Sequence, residues 1–398
     1  MAESLNRKLS YLYLQVVLAW VHAAAWVYSW IFRRRKPLVR VRRVAAVWWC
    51  PPDLPGSNLR LGNWKPFLED CGVAYDNFSV SSLSELEEFD RAPWSWRYDY
   101  FRRLALDRFE QFKKLRGYDV VWLERAFLIY PSKSAFIETC IRRMVGMVVL
   151  DCTDGSDYTN HKDLALSLVD VADRVTTGCK SLCDFYETLH SDVAWINWAI
   201  PTDRYQVKGS YEIQGLPVLG WMGSPGNAKQ LQRLEPQLRK LAEKMPFRLR
   251  IICRQKIEMD IPGADVEHAV FDDSYYDLLA SFDVGLMPLL TEGFASTGKV
   301  AMKNQEFMLC AIPQVCSPRG ICEAIIDGDS ALIAPTEEDW APVLTRLLTD
   351  ENLRRRLGTR SREIFLDMYT YRGEFPKLLA ALITPPRENP IRGRQRAA

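Results

Sequence analysis

The stretch DVGLMPLLTEGFASTGKVAMKNQEFMLCAIPQVCS, residues 283–317, decides the reading of the chain. Asp283 to Leu289 is a continuous apolar run of strand length. Thr291 to Gly298 is a loop of small residues with two glycines. From Lys299 to Cys310 the apolar positions Val300, Phe307 and Met308 have helical spacing, with Lys299, Lys303 and Glu306 on other positions. Ile312 to Cys316 is short, apolar and bounded by prolines. The order is strand, loop, helix, turn, buried strand. A small-residue loop that feeds a helix N-terminus at the end of a parallel strand offers free N–H groups and a positive dipole end to an anion. Lys299 and Lys303 add charge beside it. The stretch predicts a phosphate-binding corner.

The same alternation runs outward in both directions. After it come ICEAIIDGD, the strand ALIA at 331–334, helices from Glu337 and Glu351, and a last helix, YTYRGEFPKLLAALI, at 369–383. Before it, strands are predicted at 217–223, 247–253 and 266–271, with a loop SPGNAK after the first and a helix SYYDLLASF at 274–282. The polar stretch 201–215 is the predicted linker. The first half repeats the pattern, with strands at 41–50, 73–80, 118–124, 147–151, 174–178 and 193–200 and helices at 97–117 and 131–146, the latter started by Pro131-Ser132. Strands alternating with helices define an α/β chain with parallel, doubly wound sheets. Ligands of such sheets sit beyond the carboxyl ends of the strands, which picks out Gly56 to Arg60, Glu124 to Phe127, Asp151 to Asp154 and Gly178. Each residue also has an ordinary reading: Arg60 and Arg125 as surface charges, Asp151 and Asp154 as helix or turn caps.

Composition bounds the alternatives. With 398 residues the chain is long enough for two domains, and its net charge of +2 gives no global sign of nucleic-acid binding. The ten cysteines form no short CxxC pair and no regular framework, so they read as reduced thiols used as small core residues. His161, His190 and His268 have no ligand spacing, and no metal site is expected.

Residues 11–32, YLYLQVVLAWVHAAAWVYSWIF, carry no formal charge. As a helix these would span about 33 Å, roughly a bilayer core. Seven basic residues follow between Arg33 and Arg43, against Arg7 and Lys8 before the run. That asymmetry places the bulk of the chain on the cytoplasmic face of a membrane. A spanning helix and a helix lying in the interface both fit. A secretory signal is disfavoured, because the apolar run continues past Ala23-Ala24-Ala25 into the basic flank, and a buried core helix is the plainer alternative. The expected organisation is a membrane helix with its basic flank at 1–36, Rossmann-like domains at 37–205 and 206–368, a crossover helix at 369–384 and a disordered basic tail at 385–398.

Several segments together resemble the retaining GT-B glycosyltransferases of the family-four type, the glycosyl transferases group 1. They are GWMGSPGNAKQL at 220–231, SFDVGLMPL at 281–289, the run from Gly298 to Ile333 and DWAPVLTRLLTDENLRRRLG at 339–358. YDVVWLERAF, VVLDCTD and INWAIPTDRY extend the resemblance into the first half, so that it covers roughly 40–384. The resemblance implies two Rossmann-like domains facing across a cleft, the second holding a nucleoside-diphosphate sugar and the first an acceptor. It implies sugar transfer without a metal or other cofactor, to a glycan or lipid-linked acceptor, with other glycan-synthesis proteins as further partners. In the family two glutamates eight positions apart bracket the donor. Glu306 matches the second, which contacts the ribose, while the first position is Gly298. Lys299 and Lys303 match a lysine variant of that site and are implied as catalytic, with Asp154 and Arg125 from the first domain. Donor contacts are implied at Gly223, Ser224, Arg254, Thr297 and Gly298, with Lys229 a further match, and at Gly56 and Ser57 in the loop after the first strand. The family's histidine has no counterpart in LDCTD. That absence and Gly298 keep a second reading open, a non-catalytic GT-B subunit or scaffold in a glycan-synthesis assembly.

Overall fold

The computed structural model describes residues 2–34, 38–48, 51, 55–89, 91–128, 134–272 and 274–387. The tail expected to be disordered lies mostly outside them, as does the Pro131-Ser132 helix start. The chain divides into two compact units, Met1–Ile196 with Phe375–Ala398, and Asn197–Glu374.

The first unit holds a sheet in the order β2-β1-β3-β4-β5-β6, formed by β1 (Arg43–Val47), β2 (Ala74–Phe78), β3 (Val120–Glu124), β4 (Met147–Cys152), β5 (Arg174–Thr177) and β6 (Val193–Trp195). Every pairing is parallel. The helices in order are α1 (Ala2–Ile31), α2 (Pro55–Arg60), α3 (Lys65–Asp70), α4 (Leu83–Phe89), α5 (Trp94–Lys114), α6 (Phe136–Met144), α7 (Gly155–Asn160), α8 (Lys162–Val171) and α9 (Lys180–Glu187). β3 and β4 are buried along their whole length, which is why VVWLE and MVVLDC are nearly unbroken apolar runs. On one face, Leu14, Leu18, Val21 and Ala25 of α1 join Phe109 and Phe112 of α5 and Ile137, Ile141 and Met144 of α6 in a single core.

The second unit has the order β12-β11-β10-β7-β8-β9, all parallel. Its strands are β7 (Val218–Met222), β8 (Phe247–Ile252), β9 (Ala264–Ala269), β10 (Val284–Met287), β11 (Gln314–Cys316) and β12 (Leu332–Ile333). Its helices are α10 (Ala228–Gln232), α11 (Glu235–Ala242), α12 (Tyr275–Leu279), α13 (Phe294–Thr297), α14 (Met302–Leu309), α15 (Trp340–Thr349) and α16 (Glu351–Met368). Strand order reverses between β7 and β10, and such a switch point is where open α/β sheets bind ligands. Gly220 in β7 is required by packing, since a Cβ there would lie 1.9 Å from the Phe282 ring. The last helix, α17 (Tyr371–Ile383), is divided between the units at Glu374 and Phe375. Its later part is fixed in the first unit, where Arg174 donates to the Ala381 carbonyl at 2.5 Å and to Asp192 at 2.8 Å.

Three local expectations change. The helix expected from Lys299 begins at Met302, because Phe294–Thr297 closes a short helix of its own and Lys299 to Ala301 connects the two. Lys299 therefore sits on a connector and Lys303 on the first helical turn. The loop expected at Gly56 to Arg60 is α2, with Arg60 buried at its end. The strand expected at 193–200 stops at Trp195. Beyond it, Asn197 N–H donates to Glu374 at 2.9 Å and Ile200 N–H to the Tyr369 carbonyl at 3.1 Å, which takes the backbone away from the ladder.

Candidate functional site

At the switch point of the second unit lies a cavity of about 140 Å³, bounded by Trp221 of β7, Met287 to Leu289 at the end of β10, and Lys299 to Lys303. Asn227, Gln230 and Gly320 complete it. Its lining contains two lysines and no carboxylate. Among the described residues neither Lys299 nor Lys303 makes an ion pair or a hydrogen bond. Lys303 instead stands 5.3 Å over the Trp221 ring. Desolvation pushes its ammonium pKa down to about 8, with Glu306 acting in the opposite direction and Lys299 in the same one. Gly223 explains how this packing is reached, because a Cβ there would lie 2.4 Å from the Trp221 ring and 3.0 Å from Lys303 Nζ. Gln230 accepts from Leu290 N–H at 2.8 Å and so anchors the segment leaving β10. The arrangement is a small, positively charged recess at the N-terminal turn of α14, suited to an anion.

Glu306 lies one turn further along α14 and is buried. Its Oε1 accepts from the Tyr205 hydroxyl at 2.8 Å and the Tyr275 hydroxyl at 2.7 Å. Burial pushes its carboxyl pKa up, against both hydroxyls and Lys303. Gly298 is buried at the end of α13. Ser224, Arg254, Thr297 and Lys229 are exposed and line no part of the recess. Glu292 pairs with Arg319 at 3.1 Å on the surface.

The first unit has a larger cavity, about 360 Å³, beyond the carboxyl ends of β3 and β4. Its wall is apolar, with Leu86, Phe89, Phe101, Leu128, Leu164 and Leu168, and its polar side is Arg125, Asp157 and His161. Arg125 Nε donates to Asp157 at 2.8 Å. Arg125 also has a φ of 65°, a left-handed conformation that costs a non-glycine residue about 1–2 kcal/mol. Burial pushes the Asp157 pKa up, and Arg125 opposes it. Asp154 caps α7 by accepting from Ser156 N–H at 2.8 Å. Asp151 is bound by Arg60 through two hydrogen bonds of 2.8 and 2.6 Å and by Thr176 at 2.6 Å, all buried. Gly56 and Ser57 fall in α2.

The structure thus brings Lys299 and Lys303 to one recess, with Gly223 packed against Trp221 and Lys303 beside it, and leaves Ser224, Arg254, Thr297 and Gly298 outside its lining. Sequence reasoning assigned no role to Trp221, Asn227, Gln230, Tyr205, Tyr275 or Asp157. Trp221 and Asn227 flank Gly223 within GWMGSPGN, which was the available signal. The tyrosines carried none, since their meeting at Glu306 joins positions 205, 275 and 306. Among the described residues no group of three or more His, Cys, Asp and Glu side chains could hold a metal ion.

Residues 216–350 match the sequence profile of the family described as Glycosyl transferases group 1. Among curated proteins none matches the chain. Solved structures with the same fold include the sucrose-phosphate synthase of Thermosynechococcus elongatus, with a TM-score of 0.64 and 12% identity over 85% of this chain and 100% of that one. The Anabaena protein HepE in complex with UDP-glucose has a TM-score of 0.60 and 12% identity over 85% and 98%. A mutant of S. aureus TarM in complex with fondaparinux, alpha-GlcNAc-glycerol and UDP has a TM-score of 0.54 and 11% identity over 70% and 58%. The chain has the GT-B fold, two α/β domains each with a parallel sheet of six strands, and the match to the glycosyl transferases group 1 profile falls in its second half.

Proposed function

We propose that this protein is a membrane-associated glycosyltransferase. It moves a sugar, with retention, from a nucleoside-diphosphate sugar to a glycan or lipid-linked acceptor in polysaccharide or glycolipid synthesis. The observation that carries the reading is the switch-point recess, whose two lysines have no ion pair among the described residues and whose lining contains no carboxylate. The difficult event in glycosyl transfer is departure of the diphosphate. Lysines fixed beside it, next to a helix N-terminus, stabilise the developing charge without a metal, and loss of one such group typically costs about 10²–10³ in rate. The leaving phosphate oxygen takes the acceptor proton on the same face, so no strong base is required. In this reading Glu306, one turn along α14 from Lys303, meets the ribose. The apolar cavity of the first unit, with Arg125 on its polar side, suits an acceptor that carries hydrocarbon.

One observation favours a second reading. Glu306 is already engaged by Tyr205 and Tyr275, and the first acidic position is Gly298. A non-catalytic GT-B subunit that binds nucleotide within an assembly would tolerate both. Titration calorimetry with UDP, GDP and dTDP and their sugars, followed by a donor-hydrolysis assay, separates the two. Binding that is lost in Lys303→Ala, together with hydrolysis, supports the transferase. Binding without turnover on any acceptor supports the subunit, and absence of nucleotide binding removes both.

A further inference from the structure

α1 is long and apolar enough to cross a membrane, by length and composition, over Leu5–Ile31. Its surroundings restrict how it does so. Leu14, Leu18, Val21 and Ala25, at helical spacing, form a buried stripe against α5 and α6. α5 runs beside it, bearing Arg102, Arg103, Asp107, Arg108, Glu110, Lys113 and Lys114. A spanning α1 would draw those charges into hydrocarbon, at about 2.5–3.5 kcal/mol for each Arg, Lys or Asp at mid-depth.

The opposite face of α1 is also apolar and is bare. Leu9, Leu12, Val16, Trp20, Val27 and Trp30 are between 47% and 61% exposed. The rim of this face is cationic and aromatic. Arg7 lies 5.7 Å over Trp94, Arg102 4.8 Å over Tyr13, Arg143 5.0 Å over Trp30 and Arg116 4.3 Å over Phe32. Arg7, Arg116 and Arg143 make no ion pair among the described residues. A bare apolar band edged by tryptophan and arginine matches the acyl–headgroup boundary of an anionic bilayer. A second copy of the chain fits less well, because face-to-face docking would oppose two arginine rims.

We infer that α1 lies in the plane of one leaflet of an anionic bilayer, with its Leu9–Val16–Val27 face among the acyl chains and its arginine rim on the phosphates. The inference rests on the membrane-associated part of the proposed function and not on the transfer chemistry. The test uses the full chain with vesicles of phosphatidylcholine, with and without phosphatidylglycerol. In a Cys71→Ser background, Leu9→Cys, Val16→Cys and Ala23→Cys are spin-labelled and their immersion depths measured. The expected result is flotation with anionic vesicles and equal depths at the three positions. Depths that sweep by about 20 Å, at about 1.5 Å per residue along a crossing helix, would overturn the in-plane geometry while leaving membrane association standing. Failure to float with anionic vesicles would overturn both, and a lipid-free dimer that does not bind vesicles would assign the face to a second copy. Val16→Glu and Val27→Glu, on the bare face, should each weaken vesicle binding at least tenfold with UDP binding unchanged. Arg116→Gln and Arg143→Gln should each weaken it about fivefold, on anionic vesicles only.

Discussion

Beyond β3 and β4 the cations are matched by carboxylates, Arg60 by Asp151 and Arg125 by Asp157. Beyond β7 and β10 two lysines face a recess with no carboxylate in its lining. The two sheets share parallel pairing and strand number, so architecture does not distinguish them. What differs is whether charge balance is completed within the chain. A completed balance, as at Arg60, holds the fold. An incomplete one, as at Lys303, lowers stability and leaves attraction to be satisfied by a ligand.

The largest effect is expected where the balance is internal. Asp151→Asn leaves the Arg60 guanidinium buried with its counter-charge removed, and breaking such a pair costs about 3–5 kcal/mol. A urea titration should show unfolding at clearly lower denaturant. A change under about 0.5 kcal/mol, the range of an ordinary surface substitution, would mean the pair does not hold the fold.

Lys303→Met should do the opposite. Its ammonium is shifted down to about 8 by desolvation, so at pH 7 the folded state carries a disfavoured charge. Removing that charge should maintain or raise stability. Affinity for UDP should fall about 10- to 100-fold, the size of a charge-assisted hydrogen bond lost. A variant that loses stability and keeps its affinity would reverse the assignment of the two regions.

The same shift sets a pH dependence. An anion is attracted to protonated Lys303, which loses its proton as pH rises through about 8. Affinity for UDP should be level below pH 7.5 and weaken above 8, by at most about tenfold per unit. In Lys303→Met the profile between 7 and 9 should be flat, and an unchanged slope would assign the titration to another group.

How much of this the sequence carried follows from range. Apolar runs such as VVWLE and MVVLDC are local, and a strand buried on both faces has one composition, so β3 and β4 were plain; each of the twelve strands of the two sheets overlaps an expected strand. Lys299 and Lys303 were legible because loop, lysines and strand end are contiguous. Glu306 was legible as a position but not in its surroundings, since Tyr205 and Tyr275 reach it through tertiary packing. α1 shows the limit most clearly. Its length and lack of charge were visible, but the division of its apolar residues into a docked stripe and a bare one depends on α5 and α6, and no periodicity separates two apolar faces.

The smallest predicted effect lies at Arg125, where charge balance and backbone geometry can be separated. Its pair with Asp157 is about a third exposed on both sides, so losing it should cost no more than about 1 kcal/mol. Its φ of 65° is comfortable for glycine and strained for alanine. Arg125→Gly should therefore be more stable than Arg125→Ala, by about 1 kcal/mol in urea midpoints, although both lack the ion pair. If the guanidinium also meets the acceptor, transfer should fall equally in both variants. Transfer that follows stability instead would make Arg125 a structural residue, and the first unit would then contribute only internally balanced charge to its cavity. Strain retained at a position that chemistry needs is expected at a binding site, whereas strain retained for a partly exposed ion pair has no such reason.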